Sequence, residues 1–197
     1  MKKTVALLIT FLLSVTSLFY AFNRQTKIEY ERLKRKEMEK VLDLNQINEN
    51  LNKQLAFSAI QNIVIEDVEA NQHSLSDLVL LNPVLIYRFS ESNCGICYET
   101  ELAWLQVFFA EDKQKAAILS SHKDRKYFVS FKRINRIELP IFRISLDALD
   151  WIVESYKKPY YFVLHPDLTV SDIYVPDMAF PELKKQYLEK VKKFLSE

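Results

Sequence analysis

The sequence predicts an α/β domain, a sheet covered by helices, that follows a long helical region at the amino terminus. In residues 58–197, short apolar runs typical of buried strands alternate with stretches of helical period. Hydrophobic residues make up 49% of the chain and aromatic residues 13%, which is enough apolar surface to bury a core. Between Asn23 and Ala56 there is neither proline nor glycine, so no residue in this segment interrupts a helix.

The overall charge disfavours one class of function. The chain has 27 basic and 26 acidic residues, a net charge of +1. A nucleic-acid-binding protein usually carries a clear basic excess or a basic stripe. We therefore expect no nucleic-acid partner.

The first segment, residues 1–22, is predicted to be a membrane anchor. Thr4 to Phe22 forms 19 uncharged, mostly apolar residues behind Lys2 and Lys3. As a helix this run would span roughly 28 Å, close to the thickness of the hydrocarbon layer. Removal as a signal peptide is the alternative, but Phe19 occupies a position where signal peptidases require a small residue. The basic residues on both sides of the run leave its orientation undecided.

The second segment, residues 23–57, is predicted to be a charged helical spacer. Between Arg24 and Lys40, 11 of 17 residues are charged, which is typical of a solvated helix. An apolar stripe at helical spacing follows, and it indicates either a short packing face or a surface for self-association. The stripe consists of Val41, Leu44, Ile47, Leu51 and Leu55.

The third segment, residues 58–197, is predicted to fold as the α/β domain. Its strands and helices should alternate along the chain and end in an antiparallel hairpin and a helix. The predicted strands are Ile60–Val68, Val84–Phe89, Ala116–Ser120, Ile141–Ile144, Tyr160–Leu164 and Thr169–Val175. The predicted helices begin at Ser74, Glu99, Arg125, Ser145 and Phe180.

The motif that carries chemistry is Cys94-Gly95-Ile96-Cys97. It contains the only glycine and the only two cysteines of the chain, and it stands between a predicted strand and a predicted helix. At the start of a helix, the unpaired N–H groups and the dipole stabilise a thiolate. The second cysteine lies one turn further on, close enough to form a disulfide. The pattern therefore predicts a dithiol redox site.

The segment from residue 60 to 197 resembles the thioredoxin-fold proteins of the TlpA-like, membrane-anchored thiol-disulfide oxidoreductase group. The resemblance rests on Val84–Phe89, on the Cys94–Cys97 motif and on the segment Lys158–Leu164. It implies a thioredoxin-like fold, a central mixed sheet flanked by helices. It also implies that Cys94 attacks and Cys97 resolves, and that Pro159 is a cis-proline facing the sulfur atoms.

The resemblance implies partners and a location as well. Proteins of this group are typically held by a single anchor with the redox domain outside the cytoplasm. Expected partners are exported proteins with thiols or disulfides, and an electron donor or acceptor protein in the membrane. Neither a cofactor nor a metal is implied.

Several residues depart from the pattern of the group. Asn93 stands where a tryptophan is usual, and Ile96 replaces a proline. Arg88 occupies the strand position of a carboxylate that moves protons in thioredoxins. A cation at Arg88 or Lys158 would stabilise the thiolate of Cys94, unless these side chains reach out to water. Arg88, Asn93 and Lys158 are therefore candidate modulators of the redox pair.

Three alternatives to disulfide exchange remain open. The first is a redox-inactive thioredoxin-fold scaffold, favoured by the missing carboxylate and tryptophan. The second is a metal site, but one Cys-x-x-Cys supplies two of the four ligands that zinc requires. The third is a peroxide-reducing relative, but neither threonine nor proline precedes Cys94 in that pattern.

Overall fold

A computed structural model describes residues 2–55, 58–93 and 95–197, with the backbone alone for residues 2–17, 21, 96 and 97. The chain divides into two compact units, residues 1–45 and residues 46–197. The first unit is helical throughout its described part. The second contains the sheet and all elements after residue 55.

Helix α1 runs from Lys2 to Leu55 and so includes residues 2–22 of the predicted anchor and residues 23–55 of the predicted spacer. Among the residues that the structure describes, no helix is both long and apolar enough to cross a bilayer. For most residues of the predicted anchor, Thr4 to Phe22, only the backbone is described. The anchor therefore stays a prediction.

In its described residues, the second unit contains seven strands and three further helices. The strands are β1 (Val64–Glu66), β2 (Gln72–Ser74), β3 (Val84–Ser90), β4 (Ala116–Ser121), β5 (Ile141–Arg143), β6 (Tyr160–Leu164) and β7 (Val170–Tyr174). The helices are α2 (Gly95–Phe108), α3 (Arg125–Ile134) and α4 (Pro181–Phe194). Short 3₁₀ turns cover Leu75–Val79, Lys113–Lys115 and Ile152–Tyr156.

The seven strands form one mixed sheet in the order β2-β1-β5-β4-β3-β6-β7. Strands β3, β4 and β5 are parallel neighbours, and β6 pairs antiparallel with β3. All seven residues of β3 are buried, as its uninterrupted apolar run predicts for a central strand. The carboxyl ends of β3, β4 and β5 therefore meet at one edge of the sheet, and the Cys-x-x-Cys motif follows β3 there.

Each face of the sheet has its own apolar cluster. On one face, Leu85, Tyr87 and Phe89 of β3 pack in the same cluster as buried residues of α2, α3 and α4. On the other face, Val84 and Ile86 pack with residues from the 3₁₀ turns and from the end of α1. This alternation is the period of two that a strand imposes.

The apolar stripe of the spacer serves in part as a packing face of the same chain. Leu51 is 2% exposed and belongs to the second cluster, and Leu55 packs against that cluster. Ile47 remains 41% exposed. The prediction of a short packing face is confirmed for the last two positions of the stripe.

Two asparagines of α1 bond to the edge strand β7 and to the residue that follows it. The Asn52 amide donates to the carbonyl of Ile173 at 2.6 Å and accepts from its N–H at 2.8 Å. Asn48 Oδ1 accepts from the N–H of Val175 at 2.8 Å. Side-chain amides thus satisfy backbone groups that an edge strand would leave unpaired.

The order of elements agrees with the sequence analysis, with three differences. The predicted strand Ile60–Val68 shrinks to Val64–Glu66, and the unpredicted β2 pairs with it. The helix predicted from Ser145 is wrong, because residues 145–151 form turns and irregular structure and a 3₁₀ turn begins only at Ile152. The capping box predicted at Ser74 is present, but it opens a 3₁₀ turn.

Candidate redox site

The turn between β3 and α2 is held by Asn93, one of the candidate modulators. Its side-chain Oδ1 accepts a hydrogen bond of 2.7 Å from the N–H of Ser90, and its own N–H donates to the Ser90 carbonyl at 2.9 Å. Helix α2 then begins at Gly95. Asn93 therefore fixes the direction in which the chain leaves β3 and enters the motif.

The structure describes the motif only in part. Cys94 lies outside the described residues, and for Cys97 only the backbone, in the first turn of α2, is described. The roles of Cys94 as nucleophile and Cys97 as resolving thiol therefore stay predictions. The turn that precedes Cys94 follows the central strand β3, and Cys97 lies in the first turn of α2, where the sequence predicts a helix.

Gly95 does not owe its identity to an unusual backbone conformation. The chain has no glycine with positive φ, and a Cβ at Gly95 would lie 3.7 Å from the Tyr98 hydroxyl oxygen. That distance is an ordinary van der Waals contact, so the described side of the helix leaves room for an alanine.

Arg88 is buried on the face of the sheet opposite to α2, and its charge is paired. Its side chain is 1% exposed, and its Nε donates to Glu154 Oε1 at 2.9 Å. A second guanidinium nitrogen, Nη1, donates to the Phe89 carbonyl. The Tyr160 hydroxyl donates to Glu154 Oε1 at 2.8 Å, and burial beside this carboxylate raises the pKa of Tyr160 well above its usual value.

This arrangement decides between the two interpretations of Arg88. The side chain does not reach water, and it is not an isolated cation either, because Glu154 balances it. Burying a charge without a partner is costly, so the pair is the form in which an arginine can occupy this position. Lys158, in contrast, is exposed, which agrees with the interpretation that its side chain reaches out to water.

The conformation expected for Pro159 is not observed. Pro159 is buried directly before β6, but none of the described residues has a cis peptide bond. The chain turns into β6 through Lys157 instead, whose φ of 51° lies in the left-handed region. The orientation of Pro159 toward the sulfur atoms stays a prediction, because Cys94 lies outside the described residues.

A second buried ion pair lies on the α2 face of the sheet. Glu101, four residues after Cys97, is 2% exposed and binds Lys184 of α4 at 2.7 Å. Its other carboxylate oxygen accepts from the Tyr161 hydroxyl at 2.7 Å, and the Lys184 ammonium lies 4.8 Å from the ring centre of Trp104. Every charged group in this cluster has a partner, which ties α2, β6 and α4 together near the motif.

The sequence analysis missed this pair. Lys184 shares a helical face with Leu188 and Val191, which are both buried. A lysine in such a stripe is a signal of a buried partner. The identity of that partner could not be read from the sequence, since Glu101 is 83 positions away.

Aromatic rings and a histidine pack beneath the start of α2. Phe89 stacks on Tyr98 with ring centres 4.9 Å apart, and His122 lies 5.8 Å from Phe89 and 5.1 Å from Phe131. His122 is 4% exposed, and no described residue bonds to its Nδ1. Burial lowers the pKa of His122, with Arg143 and Arg88 adding to the effect and Glu91 opposing it.

A cavity of about 1100 Å³ opens at the carboxyl ends of β3, β4 and β5. Its wall includes Ser90 at the end of β3, Ser92 in the turn that precedes Cys94, and His122 directly after β4. In sheets with parallel strands, ligands commonly bind at this edge. The cavity therefore borders the turn that precedes the predicted redox motif.

Comparison with known proteins identifies the fold. No protein-family model and no curated protein matches this chain. Among solved structures, the thioredoxin domain of a thiol-disulfide oxidoreductase from Bacteroides vulgatus is similar, with a TM-score of 0.54 and 16% identity over 71% of this chain and 97% of that one. A thiol:disulfide interchange protein from Bacteroides sp. gives a TM-score of 0.53 and 18% identity over 72% and 91%.

The peroxidoxin BcpB from Mycobacterium tuberculosis has a TM-score of 0.50 and 17% identity, over 70% of this chain and 96% of that one. Together these likenesses confirm the predicted thioredoxin-like fold. Since proteins with these different names share it, the fold alone does not choose the chemistry. The residues of the Cys-x-x-Cys motif carry the evidence for the chemistry.

Proposed function

We propose that this protein is a thiol-disulfide oxidoreductase that uses Cys94 and Cys97 as its redox pair. One observation carries the proposal: the only two cysteines of the chain stand where the central strand of a thioredoxin-like fold gives way to α2. A thiolate there gains from the free N–H groups of the first helical turn. The buried, fully paired clusters around Arg88 and Glu101 support a rigid frame for the motif.

In the reducing direction, the Cys94 thiolate attacks one sulfur of a substrate disulfide. A mixed disulfide forms, and the other substrate sulfur leaves as a thiolate. The Cys97 thiol loses its proton and attacks the Cys94 sulfur, which releases the second substrate thiolate. Two electrons have then passed to the substrate, and the protein holds a Cys94–Cys97 disulfide. A donor dithiol must reduce it again, and the reverse sequence oxidises a substrate.

We propose further that the substrates are exported proteins and that the redox domain works outside the cytoplasm, tethered through residues 1–22. The support is the uncharged run Thr4–Phe22 and the positively charged start before it. The partner that restores the pair would then be a membrane protein with its own dithiol or disulfide. Protease added to intact spheroplasts should remove the domain; a protected domain would contradict this location.

Trapping of mixed disulfides tests the chemistry. The Cys97→Ser variant should accumulate mixed disulfides with substrate proteins, because nothing resolves them, whereas Cys94→Ser should trap almost none. Non-reducing gels of cells treated with acid and then with an alkylating reagent would measure both. Equal trapping by the two variants would contradict the assigned roles. Absence of trapping in both would favour the redox-inactive scaffold.

A further inference from the structure

The wall of the cavity contains two pairs of oppositely charged side chains. In the first pair the charges are matched, because Glu66 binds Arg143 at 2.7 Å and also lies 3.2 Å from Arg125. The second pair, Glu91 and Lys123, comes from the segments that follow β3 and β4. Among the described residues, none forms an ion pair with either of these two side chains. Their charges are therefore available to a ligand.

Two hydrogen bonds hold Glu91 beside Lys123. The Glu91 N–H donates to the Ser121 carbonyl at 3.0 Å, and Glu91 Oε2 accepts from the backbone N–H of Lys123 at 3.3 Å. The other carboxylate oxygen of Glu91 can accept from a ligand. Lys123 is exposed, and its ammonium group offers three donors. A carboxylate and an ammonium thus stand side by side in the wall.

The third charge in this part of the wall is already in use. Asp124 lines the cavity, but its Oδ1 accepts from the N–H of Lys126 at 2.7 Å and so caps α3. Glu91 and Lys123 therefore remain as the pair of opposite charges that a ligand can meet.

This pair lies close to the redox motif along the chain. Glu91 stands three positions before Cys94, in the turn that Asn93 closes onto Ser90. Ser92 of the same turn also lines the cavity. A ligand held by Glu91 and Lys123 therefore lies beside the turn that leads into the motif.

Opposite charges side by side fit one kind of head group. A free α-amino acid carries an ammonium and a carboxylate on the same carbon atom, so it can bind a carboxylate and an ammonium at once. Such charge-assisted hydrogen bonds are stronger than neutral ones. Inside a polypeptide both groups are replaced by amides, and a purely anionic or purely cationic ligand would meet one like charge. The pair therefore favours a small zwitterion.

We infer that this cavity binds low-molecular-weight disulfides that carry α-amino acid head groups, and that Cys94 and Cys97 exchange with them. The inference rests on the proposed redox function and adds a second class of substrate to it. The cavity of about 1100 Å³ is at the upper end of the size of small-molecule pockets, so it has room for both halves of such a disulfide.

The exchange requires two successive attacks. The Cys94 thiolate attacks one sulfur of the small disulfide, and the first amino-acid thiolate leaves. The Cys97 thiol then attacks the Cys94 sulfur, and the second amino-acid thiolate leaves with the proton that Cys97 loses. Two electrons pass from the dithiol of the protein to the small disulfide, which becomes two separate thiols.

Oxidation of the reduced full-length protein by small disulfides of different charge tests the inference. Cystine carries both charges of the head group, cystamine only the ammonium groups, dithiodipropionate only the carboxylates, and hydroxyethyl disulfide neither. Acid quenching and alkylation with a reagent that adds mass measure the loss of the two thiols. Each rate is divided by the rate of the same disulfide with dithiothreitol, which corrects for intrinsic reactivity.

We expect the corrected rate with cystine to exceed that with each of the other disulfides by about tenfold, the effect of one hydrogen bond to a charged group. Glu91→Gln should reduce this advantage and shift the preference from cystamine toward dithiodipropionate, because the acceptor for the ammonium loses its charge. Lys123→Met should also reduce the advantage but shift the preference the opposite way. A general loss of structure would not produce opposite shifts.

Glutathione disulfide distinguishes two sources of the head group, because its α-ammonium and α-carboxylate lie on an arm away from the sulfur atoms. A corrected rate above that of cystine would identify the longer ligand as the better fit, and a lower rate would identify the amino-acid disulfide itself.

Glu111→Gln and Lys126→Met are the matched controls, because both side chains are exposed and neither belongs to the cavity wall. They should leave the order of the disulfides unchanged. If cystine has no advantage, or if Glu91→Gln and Lys123→Met do not alter the order, the inference is wrong and the redox function stands. If none of the disulfides oxidises the two thiols of the wild-type protein, the redox function itself is wrong.

Discussion

Arg88 and Glu154 form an ion pair between the central strand and the 3₁₀ turn before β6, with Arg88 Nε 2.9 Å from Glu154 Oε1. Arg88 departs from the pattern of the group that the sequence resembles, in which this strand position often carries a carboxylate. In this chain the strand supplies the cation and the 3₁₀ turn supplies the anion. We therefore expect the removal of either charge to change the stability of the protein and the pKa of Cys94.

The charge of Glu154 should control both the stability and the thiol pKa. Glu154→Gln keeps the acceptor for Arg88 and Tyr160 but leaves a buried cation uncompensated, so we expect a loss of about 2 to 4 kcal/mol in the free energy of unfolding. The added positive field should also lower the pKa of Cys94. Urea unfolding and the pH dependence of Cys94 alkylation measure the two effects.

The double variant Arg88→Met with Glu154→Gln is the matched control, since it removes both charges at this position and retains the acceptor for Tyr160. It should be more stable than Glu154→Gln alone. If Glu154→Gln were as stable as the wild-type protein and had the same alkylation midpoint, the Arg88–Glu154 pair would contribute neither to stability nor to the pKa of Cys94.

His122 should make the protein less stable as the pH falls. Burial lowers the pKa of His122 in the folded chain below its value of 6.5 in the unfolded chain. The unfolded state therefore binds more protons near and below pH 6.5, and stability falls as the pH drops through that value. We expect His122→Phe, which suits the surrounding rings, to weaken this dependence between pH 7.5 and 5.5. An unchanged slope would assign the acid sensitivity to other groups.

Asn52 should hold the end of α1 on β7. Asn52→Ala removes two hydrogen bonds to Ile173 and leaves its N–H and carbonyl unpaired at the sheet edge, which we expect to cost about 1 to 3 kcal/mol. Asn50→Ala is the control, because Asn50 is an exposed asparagine of the same helix. Hydrogen exchange at Ile173 should accelerate in the first variant only. Equal exchange in both would show that the bonds contribute little.

Asn93 should act on the motif through the turn it closes. Asn93→Ala loses the bond from the Ser90 N–H, worth about 1 kcal/mol, and should slow disulfide exchange because the start of α2 is less well fixed. Asn93→Asp keeps an oxygen acceptor at the same position and should retain most of the rate. If the two variants lose the rate equally, the hydrogen bond is not the reason that Asn93 matters.

Local patterns were sufficient to predict the central part of the fold. Helix α3 was predicted with its bounds, Arg125 to Ile134, because its apolar residues recur at the helical period. Strand β3 was predicted within one residue, because it is a continuous apolar run and is buried throughout. The segment from Ser145 to Trp151 has apolar residues at similar spacing, but it forms turns in which Leu146 is exposed and Leu149 is buried. Local apolar spacing alone did not distinguish it from a helix.

The site was predicted only where its residues are close in sequence. The motif and the position of Arg88 are local features of one strand and the turn after it. The partners that define their environment are not: Glu154 is 66 positions from Arg88, and Lys184 is 83 positions from Glu101. A buried charge can be suspected from a pattern, but its partner depends on the tertiary fold.

Reversible pairing of Cys94 and Cys97 is tested by an equilibrium redox titration of the full-length chain. The protein would be equilibrated in glutathione buffers of graded potential, quenched with acid, and alkylated with a reagent that adds mass to each free thiol. We expect a single two-electron transition from two modified thiols to none, which should be absent in Cys94→Ser and in Cys97→Ser. Two thiols that remain modified across the whole range of potentials would contradict it.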